Sequence, residues 1–234
     1  LVIGSIALYG AEFDMTGSIS VYRIEDDEWQ QFGNDIVGER NDRTGESVAL
    51  SSSGTRLVVP AYGSDEGGTV RVFDVSEFDN NDGSFVQVGQ HIGAGTDTNT
   101  DRFGISISLA SFFGDILAIG SDMGVVSGPD GSNSQTGYVK VFTLIEGQWT
   151  QLGDTIAGIL QFEFCGKSVS LSYDGYALAG GSHKYDNGSG RVRVFLCEDG
   201  SWVQRGDNIV GMTDVAFVGS STSLSNNGET LAIR

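Results

Sequence analysis

The dozen residues GQWTQLGDTIAG at 147–158 recur as DEWQQFGNDIVG at 27–38, as GSWVQRGDNIVG at 200–211 and, more divergently, as GSFVQVGQHIGA at 83–94. A phrase written four times constrains the fold more than composition can, because every copy has to make the same contacts. Three further phrases recur around it in fixed order. Gly-x-Ser followed by alternating residues opens at Gly45, Gly104, Gly166 and Gly219. A short apolar run follows (LVVP at 57, LAIG at 117, LAGG at 178, LAIR at 231, with LVIG at 1), and then GSISVYR at 17, GTVRVFD at 68, GYVKVFT at 137 and GRVRVFL at 190. Each phrase either alternates apolar with polar residues or is a short apolar run, as strands packed between layers do. Named A, B, C and D in that order, with the tryptophan phrase as D, they repeat every 53 to 64 residues, measured between Gly33, Gly89, Gly153 and Gly206. Four strands per unit at a period somewhat above about 50 residues predict an all-β chain, a β-propeller of four-stranded antiparallel blades.

The links agree with this reading. SSGT (52–55), FFGD (112–115), YDGY (173–176) and NNGE (226–229) join A to B, each with a glycine where a tight hairpin needs positive φ. The chain is one propeller segment, with repeats at 1–44, 45–103, 104–165, 166–218 and 219–234, the first and last partial. Both ends fall in strand B (Leu1-Val2-Ile3-Gly4 and Leu231-Ala232-Ile233-Arg234). That phase predicts an arc of about four blades from a larger ring, flanked by further blades of the same or a neighbouring chain. Strand D is outermost, so Trp29, Phe85, Trp149 and Trp202 are assigned to packing blade on blade. Gln31, Gln87, Gln151 and Gln204, two residues on and hence on the same face, are assigned to backbone groups at the sheet margin.

Charge excludes some partners. With 31 acidic against 13 basic residues, a net charge of −18, the surface repels nucleic acid and anionic lipid. No apolar run approaches the ~20 residues of a spanning helix, so direct membrane insertion is not expected. Cys165 enters strand A and Cys197 leaves strand C of one blade, too far apart for a disulfide, and both are expected free.

Asp101-Arg102-Phe103-Gly104-Ile105-Ser106, followed by LAIG and GYVKVF, resembles the FG-GAP repeats of integrin-alpha-like β-propellers. Asp42-Arg43-Thr44-Gly45-Glu46-Ser47 lacks the Phe, Glu163-Phe164-Cys165-Gly166-Lys167-Ser168 carries Glu and Cys, and Ala216-Phe217-Val218-Gly219-Ser220-Ser221 has lost the acid. The resemblance covers essentially the whole chain. It implies a non-enzymatic interaction or adhesion module, extracellular or at the cell surface. Members of that family bind calcium between strands A and B, which takes several carboxylates in one turn. The hairpins here carry at most one, Asp174 in the fourth repeat, so no ion is expected there, and any calcium would sit in the B-to-C or D-to-A loops. No other cofactor or metal is expected.

Motifs of chemistry are sparse. The two histidines are His91, within a strand D, and His183, in a B-to-C loop, and there is no metal, phosphate-loop or nucleophile-elbow pattern. No enzymatic activity is expected. The B-to-C and D-to-A links share one face of the propeller and vary in length, as recognition loops on a scaffold do. Glu12, Asp14, Asp65, Glu66, Asp122, Asp130 and Asp186 make the B-to-C set acidic and mark it as the candidate surface for a protein or glycan partner, cationic or bridged by calcium. The alternative is a carbohydrate-binding or glycosidase-like propeller, with paired carboxylates at its channel.

Overall fold

The computed structural model describes residues 2–5, 8–9, 14–64, 67–95, 100–127 and 133–234, the first two stretches and Asp14 by backbone alone. It is a β-propeller of antiparallel blades. The first blade holds strands B, C and D (Val2–Ser5, Ser18–Glu25, Glu28–Gln31). The second runs Ala49–Leu50, Arg56–Ala61, Thr69–Asp74 and Val86–Gln87. The third runs Phe103–Ala110, Ile116–Ser121, Tyr138–Ile145 and Gln148–Gln151. The fourth runs Cys165–Leu171, Ala177–Ser182, Arg191–Glu198 and Ser201–Gln204, and strands A and B of a fifth follow at Thr222–Leu224 and Leu231–Ile233. Within every complete blade the order across the sheet is A-B-C-D. Strand A packs against strands A and B of the blade before it, which puts the A strands on the axis.

Burial explains the phrases. Strand B is enclosed on both faces: Leu57 and Val59 belong to the core between blades one and two, and Val58 to the core between two and three. Leu117 and Ile119 likewise face the second blade, while Ala118 faces the fourth. That is why strand B reads as an unbroken apolar run. In strand A the serine of Gly-x-Ser clasps the next blade: the Oγ of Ser47, Ser106 and Ser168 donate to the carbonyls of Gly104, Gly166 and Gly219 at 3.2, 2.8 and 2.9 Å. The serine two residues further accepts from the next strand A, Leu171 N–H to Ser108 Oγ and Leu224 N–H to Ser170 Oγ.

The glycine that opens strand C is a close-approach residue. A Cβ on Gly137, at φ 73°, would stand 2.2 Å from the Cys165 carbonyl oxygen of the next blade, and the same collision awaits one on Gly17, Gly68 or Gly190. Strand D is broken at the glycine of its phrase, and both pieces pair with strand C. The phrase glutamine closes the break: Gln31, Gln87, Gln151 and Gln204 each donate from Nε2 to the carbonyl of the glycine two residues on, at 3.0 to 3.4 Å. Trp149 and Trp202 donate from Nε1 to Val88 and Leu152 of the preceding blade at 2.9 Å. Phe85, 8% exposed, packs on Phe32 of the first blade, whereas Trp29 lies 55% exposed. Cys165 and Cys197 are both free.

Candidate functional site

The link from D to A ends in a repeated turn. Two residues before the motif glycine the backbone is left-handed in every copy, with φ of 53°, 57°, 58° and 53° at Arg43, Arg102, Phe164 and Phe217. The acid that precedes three of these is turned inward and holds the loop. Asp42 accepts the Glu39 N–H at 2.8 Å, and Glu163 accepts those of Ile159 and Leu160 at 3.0 and 3.1 Å. Glu163 is also paired with Arg191 at 2.6 Å, both side chains being fully buried. Asp101 is buried as well, within reach of the Tyr138 hydroxyl. The acid therefore fixes the loop, and the left-handed residue beside it is turned toward the end of strand B, where Tyr62, Asp122 and His183 occupy one repeat position in blades two, three and four.

These positions make one continuous cluster at the inner end of the loop face. The Tyr62 ring lies between two guanidinium groups, 5.6 Å from that of Arg43 and 5.4 Å from that of Arg102. Arg43 Nη1 donates to the Tyr62 hydroxyl at 3.1 Å, which in turn donates to Glu46. Burial, then the bond to Glu46, raises the tyrosine's pKa. A cavity of about 430 Å³ opens here, with Arg43, Tyr62, Arg102, Thr100 and the methionines Met15 and Met123 in its wall. Asp122, 2% exposed, meets Arg102 Nη1 at 3.3 Å and Lys167 Nζ at 3.7 Å through Oδ2, and its buried Oδ1 has no hydrogen-bond partner among the described residues. Burial outweighs both cations and raises its carboxyl pKa.

His183 completes the cluster. Its ring centroid is 5.5 Å from that of Phe164 and 6.4 Å from that of Phe217, and its buried Nδ1 is also without a partner among the described residues. Burial first, then Lys167, Lys184 and Arg102, lower its pKa to about 4, so the imidazole is neutral at pH 7. Lys184 lies over the Phe217 ring at 4.3 Å. Four of the chain's 13 cations thus gather at one point of a protein with a net charge of −18. Such a site attracts an anion and offers a neutral base with two cations beside it.

Of the acidic loop residues marked in the sequence, Glu12, Asp65, Glu66 and Asp130 lie outside the described residues, and Asp14 is described by backbone alone. Asp186 is exposed in a turn at 185–188, away from the contacts of the cluster. Asp122 alone enters it, as a buried residue. Asp174 in the A-to-B hairpin spends one carboxylate oxygen on its own turn, accepting from Ser172 Oγ and Tyr176 N–H. Among the described residues no group of three or more His, Cys, Asp or Glu could hold a metal ion. Sequence reasoning passed over Arg43, Tyr62, Arg102, Lys167, Phe164 and Phe217, and noted His183 only as a loop residue. Aligning the repeats on the motif glycine and asking where charge changes on a constant frame would have found them.

No protein-family model matches the chain, and no curated protein sequence does. Solved structures share its fold. One, described as a "putative 6-phosphogluconolactonase" of Bacteroides fragilis, is 14% identical with a TM-score of 0.55, over 99% of this chain and 56% of that one. A second so described, from Bacteroides uniformis, is 14% identical with a TM-score of 0.53, over 95% and 52%. A protein of Lactobacillus plantarum is 12% identical with a TM-score of 0.52, over 90% and 55%. The chain spans just over half the length of these structures. They correct the resemblance to FG-GAP repeats of integrin-alpha-like propellers, and with it the expectation of a non-enzymatic, protein-binding module of the cell surface. Two of the three propellers are described as putative 6-phosphogluconolactonases, that is, as enzymes. The physical reason is that Asp-x-Phe-Gly-x-Ser serves general propeller geometry here: the acid ties the loop, the glycine lets blades approach and the serine clasps the next blade.

Proposed function

We propose that this chain carries the catalytic mouth of a hydrolase that opens lactone-type esters of small anionic molecules. The observation that carries the reading is His183, a neutral imidazole with a buried, unpartnered Nδ1, beside two cations that share Asp122. A carbonyl oxygen set against Arg102 and Lys167 is polarised by both. Water bonds to the carbonyl carbon as the imidazole takes its proton through Nε2, and the two cations hold the tetrahedral oxyanion. Collapse breaks the bond to the ring oxygen, which recovers the proton from the imidazolium and leaves a hydroxy acid. Asp122 is a positioning residue that keeps Arg102 and Lys167 together.

An imidazole that titrates at about 4 is free to accept a proton at pH 7 but is a weak base. Part of that weakness comes from Lys167, Lys184 and Arg102, so a bound anion that offsets them strengthens the base at the moment it is needed. The descriptions of the similar propellers support both the lactone and the anion. The activity is proposed for the whole protein of which this propeller is part. The test is hydrolysis of 6-phosphogluconolactone and glucono-δ-lactone by the full-length protein, followed in a pH-stat. His183→Gln lowers kcat by about 100-fold or more with KM little changed, while Arg102→Gln lowers kcat, since its guanidinium holds the oxyanion, and raises KM for the anionic substrate. A His183→Gln protein that melts normally and keeps full kcat sinks the reading.

A further inference from the structure

We infer, building on that reading of the mouth, that the substrate carries an apolar alkyl or aryl group beside its anionic one. The observation is an exchange of side chains on a constant backbone. Two and four residues before the motif glycine stand Arg43 and Asn41 in the second blade and Arg102 and Thr100 in the third. The fourth blade has Phe164 and Phe162 there, and the fifth has Phe217 and Val215. The left-handed turn recurs on both sides: φ is 66° and 53° at Asn41 and Arg43, 57° at Arg102, 61° and 58° at Phe162 and Phe164, and 60° and 53° at Val215 and Phe217. Equivalent backbones present equivalent positions around the axis, so these two positions are cationic or polar on one side of the mouth and apolar on the other, where Lys184 lies over one face of Phe217.

The apolar side is not consumed by the protein's own core. Phe164 and Phe217 flank His183 and stay half-buried, while Phe162 is 52% and Val215 66% exposed. A β-branched residue with φ near 60° is strained, and leaving it in water adds a solvation cost. The 430 Å³ cavity lies on the other side, against Arg43 and Arg102. A ligand that spans both sides puts its anion in the cavity walled by Arg43 and Arg102 and an apolar group on the two phenyl rings, with His183 next to that apolar group. A fully hydroxylated sugar acid satisfies the first side and leaves the second wet. The substrate class is therefore a lactone or ester of an acid bearing both a carboxylate or phosphate and a hydrocarbon substituent.

The test is titration calorimetry of the full-length protein with three probes: butanoate, 4-phenylbutanoate and inorganic phosphate. The expected result is that 4-phenylbutanoate binds at least about tenfold tighter than butanoate, a difference worth about 1.4 kcal/mol. Phe164→Arg introduces the residue that the same turn already carries in blades two and three, so the backbone accepts it. It cuts the phenyl advantage below about threefold and tightens phosphate several-fold. Phe217→Ser, checked for a normal melt, removes the phenyl advantage and leaves phosphate binding as it was. Equal affinity for butanoate and 4-phenylbutanoate, no binding of either, or an advantage that survives Phe164→Arg overturns the inference. Hydrolysis of 6-phosphogluconolactone without a phenyl preference overturns it and leaves the hydrolase reading standing. A phenyl preference in a protein that hydrolyses no lactone supports this ligand class and overturns the hydrolase reading.

Discussion

Glu163→Leu should be among the most destabilising single changes in the fourth blade. The carboxylate pairs with Arg191 at 2.6 Å, the two side chains being 0% and 1% exposed, and it accepts the N–H groups of Ile159 and Leu160. Removing one partner of a fully buried pair strands the other charge, which costs about 3–5 kcal/mol. The two amides add little, since Ile159 and Leu160 are exposed and water replaces the carboxylate there. A total of about 4 kcal/mol follows. With a urea slope of about 2–3 kcal/mol/M, the midpoint of equilibrium unfolding falls by about 1.5 M. The pair Glu163→Leu with Arg191→Met removes both charges at once and should recover more than half of the loss. A single Glu163→Leu protein within about 1 kcal/mol of the parent would refute the reasoning, because it would mean that Arg191 finds water or another acid.

Two further expectations concern the mouth and the blade interface. His183 has a folded pKa of about 4, below the ordinary value of about 6.5, so the fold favours its neutral form. Its contribution to stability is present above pH 6.5 and is lost as pH falls through 4. An NMR titration of its ring should give a midpoint near 4, moving up when phosphate is added, and a midpoint near 6.5 in the free protein would contradict the burial described. Trp149→Phe leaves the Val88 carbonyl without its 2.9 Å donor and should cost about 1–3 kcal/mol in urea unfolding, whereas Trp29→Phe, at an exposed site, should change stability by less than about 0.5 kcal/mol. Equal effects of the two would show that the indole bond is not what joins the blades.

Strand order, hairpins and repeat phase were legible because each blade meets its neighbours in the same way, and sameness of contact leaves sameness of sequence. The apolar run of strand B and the outer tryptophan phrase are direct traces of burial. The mouth left no such trace. Tyr62, Asp122 and His183 stand about one repeat apart in the chain, and the members that are near neighbours, such as His183 and Lys184 or Phe164 and Lys167, form no pattern with a known chemistry. Asp122 looked like one more solvated acid in an acidic loop, because composition cannot distinguish an acid held at 2% exposure by Arg102 and Lys167 from one in water. The integrin-like resemblance misled for a related reason: the motif reports how blades fit together, and any chemistry can be hung on that fit.

The links between blades lie at two radii. Near the axis the serines of strand A hold the glycine carbonyls of the next blade, and at the periphery the indoles of Trp149 and Trp202 hold carbonyls of the blade before. Two sheets joined along a single line could swing about it like pages of a book. Joined along two separated lines they have no such axis, and the remaining relative motion is small shear. The groups around His183 come from successive blades, so their mutual placement is set before any ligand arrives. A site built this way works as a rigid template, with ligand exchange left to surface loops and solvent, not to the opening and closing of domains.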